Sequence, residues 1–267
     1  MITKQLLEFA ILNINKPSGP TSFDVSDYVR KKLDLRKTSH FGTLDPKVTG
    51  VLPIALNRAC KLTGFFLGHD KEYVGIMRLH EDVELEKIKK IIKEKFLGVI
   101  KQTPPVKSRV KRQEREREII SFEILEKDAN GKDFLFKTKV QGGTYIRKLI
   151  DDLGKELGCG AHMLELRRTK AGIFDEEKSI TLYDLDDEEK IKENLVSGEE
   201  ALKKIFPSVQ VKEESVKKLL TGKLIMESDV EGKDKIIKDK FIAFCGDKFI
   251  GVYEGSKPLF VFQDIKI

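Results

Sequence analysis

The chain is short of the residues that build metal and redox sites. Its 267 residues include 3 cysteines and 4 histidines. Cys60, Cys159 and Cys245 stand far apart with no CxxC pair, and His40, His69, His80 and His162 show neither HExxH nor any other ligand spacing. The sequence therefore offers no donor set for a structural zinc, and three scattered thiols fit a reduced, intracellular protein. We expect no metal and no cofactor. Long apolar runs are missing as well. The short apolar start is interrupted by Glu8 without a cleavage-site pattern after it, and no later stretch is long enough to cross a bilayer. These absences predict a cytoplasmic protein with no membrane partner. Repeats and low-complexity linkers are absent too.

What is present suits a globular, two-part chain. Hydrophobic residues make up 40% of it, enough for a real core, and the formal net charge is +6. So modest an excess matters through its placement. It concentrates in Lys101 to Arg117, where Lys101, Lys107, Arg109, Lys111, Arg112, Arg115 and Arg117 face only Glu114 and Glu116. Such a run reads either as a solvated face or as a phosphate-binding loop. Its position after Pro104-Pro105, between two patterned segments, favours the loop.

Residues 6–16 read as a strand feeding the turn Asn15-Lys16-Pro17-Ser18-Gly19-Pro20. Thr21 and Asp24 have capping-box spacing, and Val25, Val29 and Leu33 recur on one face of the helix that follows. A second helix is expected from a cap at Asp82 to a stop at Gly98, with Leu85, Ile88, Ile92 and Phe96 as its stripe. Ile120, Phe122 and Ile124 alternate as in a strand, Ala129-Asn130-Gly131 makes a turn, and Phe134 to Val140 returns. A helix begins near Thr144 and buries Leu149, Leu153 and Leu157, and His162 to Thr169 then reads as a strand with Leu164 and Leu166 on one face. Strands broken by helices and hairpins predict an α+β domain on a mixed or antiparallel sheet, over residues 1–205. Beyond residue 206 a short helix through Val216, Leu219 and Leu220 ends at Gly222, and brief strands meet at Gly246-Asp247. This predicts a small β-rich domain over residues 206–267.

The segment with most chemical content is His40 to Pro53, HFGTLDPKVTGVLP. Pro46 pushes Asp45 out of the helical region, and Gly42 and Gly50 allow close backbone approach, so the loop presents one carboxylate. The string resembles the catalytic motif of the TruB and dyskerin family of RNA pseudouridine synthases, and Lys47-Val48-Thr49-Gly50 resembles its archaeal and eukaryotic branch. Five more pieces follow the family order: Asn15-Lys16-Pro17, Lys71-Glu72-Tyr73, Lys111-Arg112-Gln113, Gly143-Thr144-Tyr145-Ile146-Arg147, and Gly160-Ala161-His162-Met163-Leu164-Glu165-Leu166-Arg167-Arg168.

The resemblance implies isomerisation of uridine to pseudouridine without a cofactor. It implies Asp45 as the catalytic carboxylate, Arg147 as the guanidinium that pairs with it, and Tyr73 as an aromatic that stacks on the base and handles a proton. His40 would fill the space left by the extruded uridine, and Leu166 would wall the pocket. Lys16, Lys71, Arg109, Lys111, Arg112, Arg167 and Arg168 are the candidate phosphate contacts. The tail resembles a PUA domain, an RNA-binding pseudobarrel. The implied partners are tRNA, rRNA and H/ACA guide RNA, with small proteins of that ribonucleoprotein. Guided action, direct modification of the tRNA T-loop and a catalytically silent RNA-binding scaffold all remain open from the sequence.

Overall fold

The computed structural model describes residues 3–104, 111–232, 236 and 238–263. They form two compact units, residues 1–195 and 196–267.

The first unit is built on strands β1 (Ala10–Lys16), β2 (Thr38–His40), β3 (Thr49–Leu56), β4 (Lys71–Leu79), β5 (Gly98–Gln102), β6 (Arg115–Lys127), β7 (Asp133–Val140), β8 (Ala161–Ala171) and β9 (Phe174–Asp175). From β1 the sheet runs β1-β3-β8-β4-β7-β6-β5, with β2 on β3 and β9 on β8. The β3–β8 pair is parallel, Gly50 lying opposite Arg168, and the remaining registered pairs are antiparallel. This is the α+β, mixed-sheet architecture the patterning predicts. Residues in β1 and β3 are buried almost throughout, as central strands require.

Helices α1 (Ser22–Lys32), α2 (Thr63–Leu67), α3 (Leu85–Lys95), α4 (Ile146–Leu157) and α5 (Glu188–Asn194) complete the unit. The Thr21–Asp24 capping box forms as expected, and Val25 and Val29 are buried. α3 buries Ile88 and Ile92, while α4 buries Leu149, Leu153 and Leu157 and packs on β8.

Three local expectations need correcting. The first strand starts at Ala10, not at residue 6. Asp82 does not cap α3: the N-cap is Glu84, and Asp82 pairs with Lys127 at 2.8 Å, while Gly98, at φ +77°, opens β5 after Phe96 has capped the helix. Leu164 and Leu166 do not share a face. Glu165 pairs with Ile76 and Met163 with Met77, so Leu164 is the extra residue of a β-bulge. It is left 38% exposed while Leu166 is 7% exposed. Alternation is a reliable guide only while the ladder keeps step.

The second unit opens on β10 (Leu195–Ser197), which spans the boundary, and α6 (Gly198–Lys203). Its sheet runs β11 (Ser208–Gln210), β12 (Lys240–Cys245), β13 (Lys248–Glu254), β14 (Lys257–Val261), with β11 parallel to β12 and the others antiparallel. Gly246-Asp247 joins β12 to β13 as a two-residue turn. Leu219 of α7 (Glu213–Leu220) shares a core with Val209, Val211, Phe241, Ala243, Ile250 and Tyr253.

Candidate active site

Asp45 lies in the loop between β2 and β3. Val48 N–H donates to its carbonyl at 3.0 Å, which closes the turn set up by Pro46. Gly50 can be nothing else: its φ is +98°, and an added Cβ would lie 2.2 Å from the Arg168 carbonyl oxygen. Just ahead of Asp45, Leu44 is held at both backbone groups by one hydroxyl. Ser22 Oγ accepts from Leu44 N at 2.7 Å and donates to Leu44 O at 2.9 Å, and Ser22 is 1% exposed.

Two buried cations brace the same loop, and a third holds the end of α2. Lys16, fully buried, donates to the carbonyls of Pro17, Pro46 and Val48 at 2.8, 2.9 and 2.9 Å. Arg168 donates from Nε to Val51 O at 2.7 Å and from Nη2 to Gly42 O at 3.0 Å. Lys71 donates to Leu67 O at 2.8 Å and His69 O at 2.5 Å, at the end of α2. Burial lowers the Lys16 pKa, opposed by the Asp45 carboxylate. Burial, helped by the nearby Arg168 charge, brings Lys71 down to about 8. Hydrogen bonds from charged donors contribute roughly 1.5–3 kcal/mol each, so these carbonyl sets offset the cost of keeping a cation out of water. The expectation that Lys16, Lys71 and Arg168 face phosphate is corrected accordingly. Their donors point inward and hold backbone.

Arg147 reaches Asp45 from the first turn of α4. Its Nε lies 2.8 Å from Asp45 Oδ2, with the two side chains 52% and 47% exposed. A pair this open adds about 0–1 kcal/mol to stability, so what it supplies is geometry: it aims one carboxylate oxygen and leaves the group accessible. The peptide before that helix is fixed by Gln102. Its Oε1 accepts from Tyr145 N at 2.9 Å and its Nε2 donates to Tyr145 O at 3.1 Å. Sequence reasoning missed Gln102 and Ser22. Ser22 carried no signal beyond its place after a helix cap, and Gln102, between Lys101 and Thr103, carried none.

Tyr73 is 8% exposed on β4, opposite Arg168, and Leu166 sits opposite Gly75 on the same face. A Cβ on Gly75 would come 2.9 Å from Leu166 Cδ1 and 2.9 Å from Phe136, so the glycine makes room for that leucine. Thr169 bulges out between the Tyr73–Arg168 and Glu72–Lys170 pairs, setting the step that puts Tyr73 across from the residue bracing the Asp45 loop. His40 is half-buried at the end of β2, with Nε2 3.2 Å from Thr43 Oγ1. Arg167 is partly exposed and already engaged, by Glu176 at 2.8 Å and Asn15 Oδ1 at 3.2 Å. Lys111 and Arg112 are exposed, and Arg109 and Lys107 lie outside the described residues. The structure thus joins Asp45 to Arg147 directly, and places Tyr73 and Leu166 together on the β4–β8 ladder, where Tyr73 lies opposite the Arg168 that braces the Asp45 loop. Among the described residues no three His, Cys, Asp or Glu side chains gather as a metal site, and no helix is long and apolar enough to cross a membrane.

A mixed α+β sheet with the exposed Asp45–Arg147 pair on a pinned loop fits the class of protein that the sequence motifs resemble, the RNA pseudouridine synthases. The chain belongs to the TruB family: residues 30–146 match the family described as TruB family pseudouridylate synthase (N terminal domain), and residues 147–210 match the tRNA pseudouridylate synthase B C-terminal domain. It is 44% identical over 236 residues to the "Probable tRNA pseudouridine synthase B" of Methanocaldococcus jannaschii, covering 88% of this chain and 69% of that relative. Against the similarly described relative from Methanopyrus kandleri the match, 51% identical over 177 residues, spans 52% of that protein's length. Among solved structures it is similar to an H/ACA RNP bound to a substrate RNA containing 2'-deoxyuridine, with TM-score 0.84, 34% identity, and 99% of this chain and 88% of that one covered. It is also similar to a Cbf5-Nop10-Gar1 complex, with TM-score 0.81, 36% identity, and 98% and 86% covered.

Proposed function

We propose that this chain is an RNA pseudouridine synthase that isomerises specific uridines in rRNA, tRNA or both as the catalytic subunit of an H/ACA ribonucleoprotein. The observation that carries the reading is the Asp45–Arg147 contact, 2.8 Å long and open to solvent on a loop otherwise braced by buried groups. In the reaction the C1'–N1 glycosidic bond breaks, the base turns, and a C1'–C5 bond forms. C5 then loses its proton and N1 gains one, so nothing is oxidised. Asp45 acts on the nucleotide as an ionised carboxylate, oriented by Arg147. Tyr73 stacks on the base and serves proton removal at C5, Leu166 walls the pocket, and His40 fills the gap in the RNA.

Extruding a stacked uridine costs on the order of a few kcal/mol, which phosphate contacts must offset. We assign these to Lys111, Arg112 and Arg109, and to residues 206–267 as a PUA-like RNA-binding domain. Similarity to a Cbf5-Nop10-Gar1 complex and to an H/ACA RNP bound to a substrate RNA supports a guide RNA and small protein partners. The name of the archaeal relatives supports a second reading, direct modification of the tRNA T-loop. An RNA substrate of either kind suits a cytoplasmic protein. The presence of both members of the ion pair argues against a silent scaffold.

The test is tritium release from C5-labelled uridine in a tRNA transcript, and in a guide-specified target with guide RNA and partner proteins added. Asp45→Asn should lower turnover at least about a thousandfold while leaving RNA affinity nearly unchanged. Substantial turnover by that variant would sink the catalytic assignment. The chain alone should modify the T-loop weakly and be redirected by the guide. Efficient T-loop modification with no response to guide would favour the stand-alone enzyme.

A further inference from the structure

We infer that Gln102 is a positioning residue for Arg147, setting the aim of the guanidinium from a strand remote in sequence. The inference rests on the reading of Asp45 and Arg147 as a working pair. Gln102 is the last residue of the edge strand β5 and is 2% exposed. Its amide meets both backbone groups of Tyr145, 43 residues away, accepting at 2.9 Å and donating at 3.1 Å. A buried primary amide with donor and acceptor both satisfied on one residue fixes that peptide in two directions at once.

The gripped residue is the N-cap of α4. Tyr145 has extended backbone (φ −96°, ψ 103°) and makes no side-chain capping bond, so the usual Ser, Thr or Asp device for setting a helix start is not used here. Its carbonyl also accepts from Leu149 N at 3.0 Å, the first bond of the helix. Gln102 therefore holds the peptide from which the helix grows, and Arg147 stands two residues beyond it. A half-exposed guanidinium has little packing of its own to aim it, so it takes its direction from this backbone. On the other side of the ion pair Ser22 grips both backbone groups of Leu44, next to Asp45. The two charges are thus each held from behind by a buried neutral side chain.

The test compares wild type, Gln102→Met, Arg147→Met and the double variant in the tritium-release assay on the tRNA transcript or guided target, with hydrogen exchange of the peptide containing Tyr145, Ile146 and Arg147. Gln102→Met, similar in size and without the amide, should lower kcat roughly 10- to 100-fold with KM within about threefold, the size of loss that small misplacements of a reacting group produce. In the Arg147→Met background it should add less than about twofold, because its effect passes through Arg147. Exchange in that peptide should quicken in Gln102→Met and stay at the wild-type rate in Asp45→Asn. Wild-type kcat in Gln102→Met, or a full further loss in the double variant, would overturn the proposal. If Gln102→Met fails to fold, Gln102→Glu, which keeps the acceptor and loses the donor, is read in the same way. If the wild-type chain releases no tritium, the synthase reading fails, and unchanged exchange in the Gln102 variant overturns the positioning role separately.

Discussion

Lys16, Lys71 and Arg168 are cations of the same unit as Arg147, Lys111 and Arg112, and the structure puts the two sets to opposite uses. The first three are at most 4% exposed and donate to backbone carbonyls, of Pro17, Pro46 and Val48 for Lys16, of Leu67 and His69 for Lys71, and of Gly42 and Val51 for Arg168. The second three are exposed, and Arg147 meets a carboxylate. In water a Lys or Arg is a mobile charge worth little to stability, whereas out of water it must be fully hydrogen-bonded and so fixes whatever it bonds. Lys16 and Arg168 accordingly make a rigid frame for the Asp45 loop, Lys71 does the same for the end of α2, and Lys111 and Arg112 leave charge exposed to solvent.

The comparison breaks most visibly at Arg168. Arg168→Met should leave the Gly42 and Val51 carbonyls unmet and cost about 2–4 kcal/mol, lowering the melting temperature by about 5–15 °C. The folded fraction should bind RNA within about threefold of wild type. An unshifted melting temperature with a weakened, less salt-dependent RNA affinity would move Arg168 into the outward set.

Lys71 sharpens the comparison through pH. Burial and the Arg168 charge lower its pKa to about 8 in the folded protein, below the ordinary 10.5. Below about pH 8 both folded and unfolded chains carry this proton, and the cost of the buried charge is felt in full. Between about 8 and 10.5 the unfolded chain binds the proton and the folded chain does not, so this contribution to stability rises with pH. Relative to Lys71→Met, wild type should gain up to roughly 3 kcal/mol across that window in urea denaturation, as a lowering to about 8 implies. A difference that is flat in pH would mean the ammonium keeps its water.

The smallest effect on the fold belongs to the outward pair. Lys111→Ala with Arg112→Ala should change the melting temperature by less than about 2 °C, weaken RNA binding, and flatten the slope of log affinity against log salt by about 1–2. An unchanged slope would reduce these residues to a solvated face.

Much of this molecule is legible in the residues. The capping box at Thr21–Asp24, the buried stripes of α3 and α4 and the hairpin at Gly246-Asp247 all follow from spacing and turn chemistry. The Asp45 loop was legible from a proline and two glycines, since those residues constrain their own backbone wherever they stand. Leu164 was misread because a bulge depends on the partner strand, and the cap of α3 because Asp82 had a Lys127 to pair with across the fold.

By itself, then, the sequence determined the local conformations, the alternation of elements and the presence of an acidic loop with family-ordered motifs around it. The tertiary structure alone decided which lysines and arginines turn inward, which face each strand shows beyond a bulge, and that Gln102 and Ser22 stand behind the Arg147–Asp45 pair. The physical reason is one of range. Backbone preference and amphipathic period act over a few residues, whereas a buried charge or amide is settled by the groups that reach it. For Lys16 these are carbonyls 30 and 32 positions away, and for Gln102 a peptide 43 positions away.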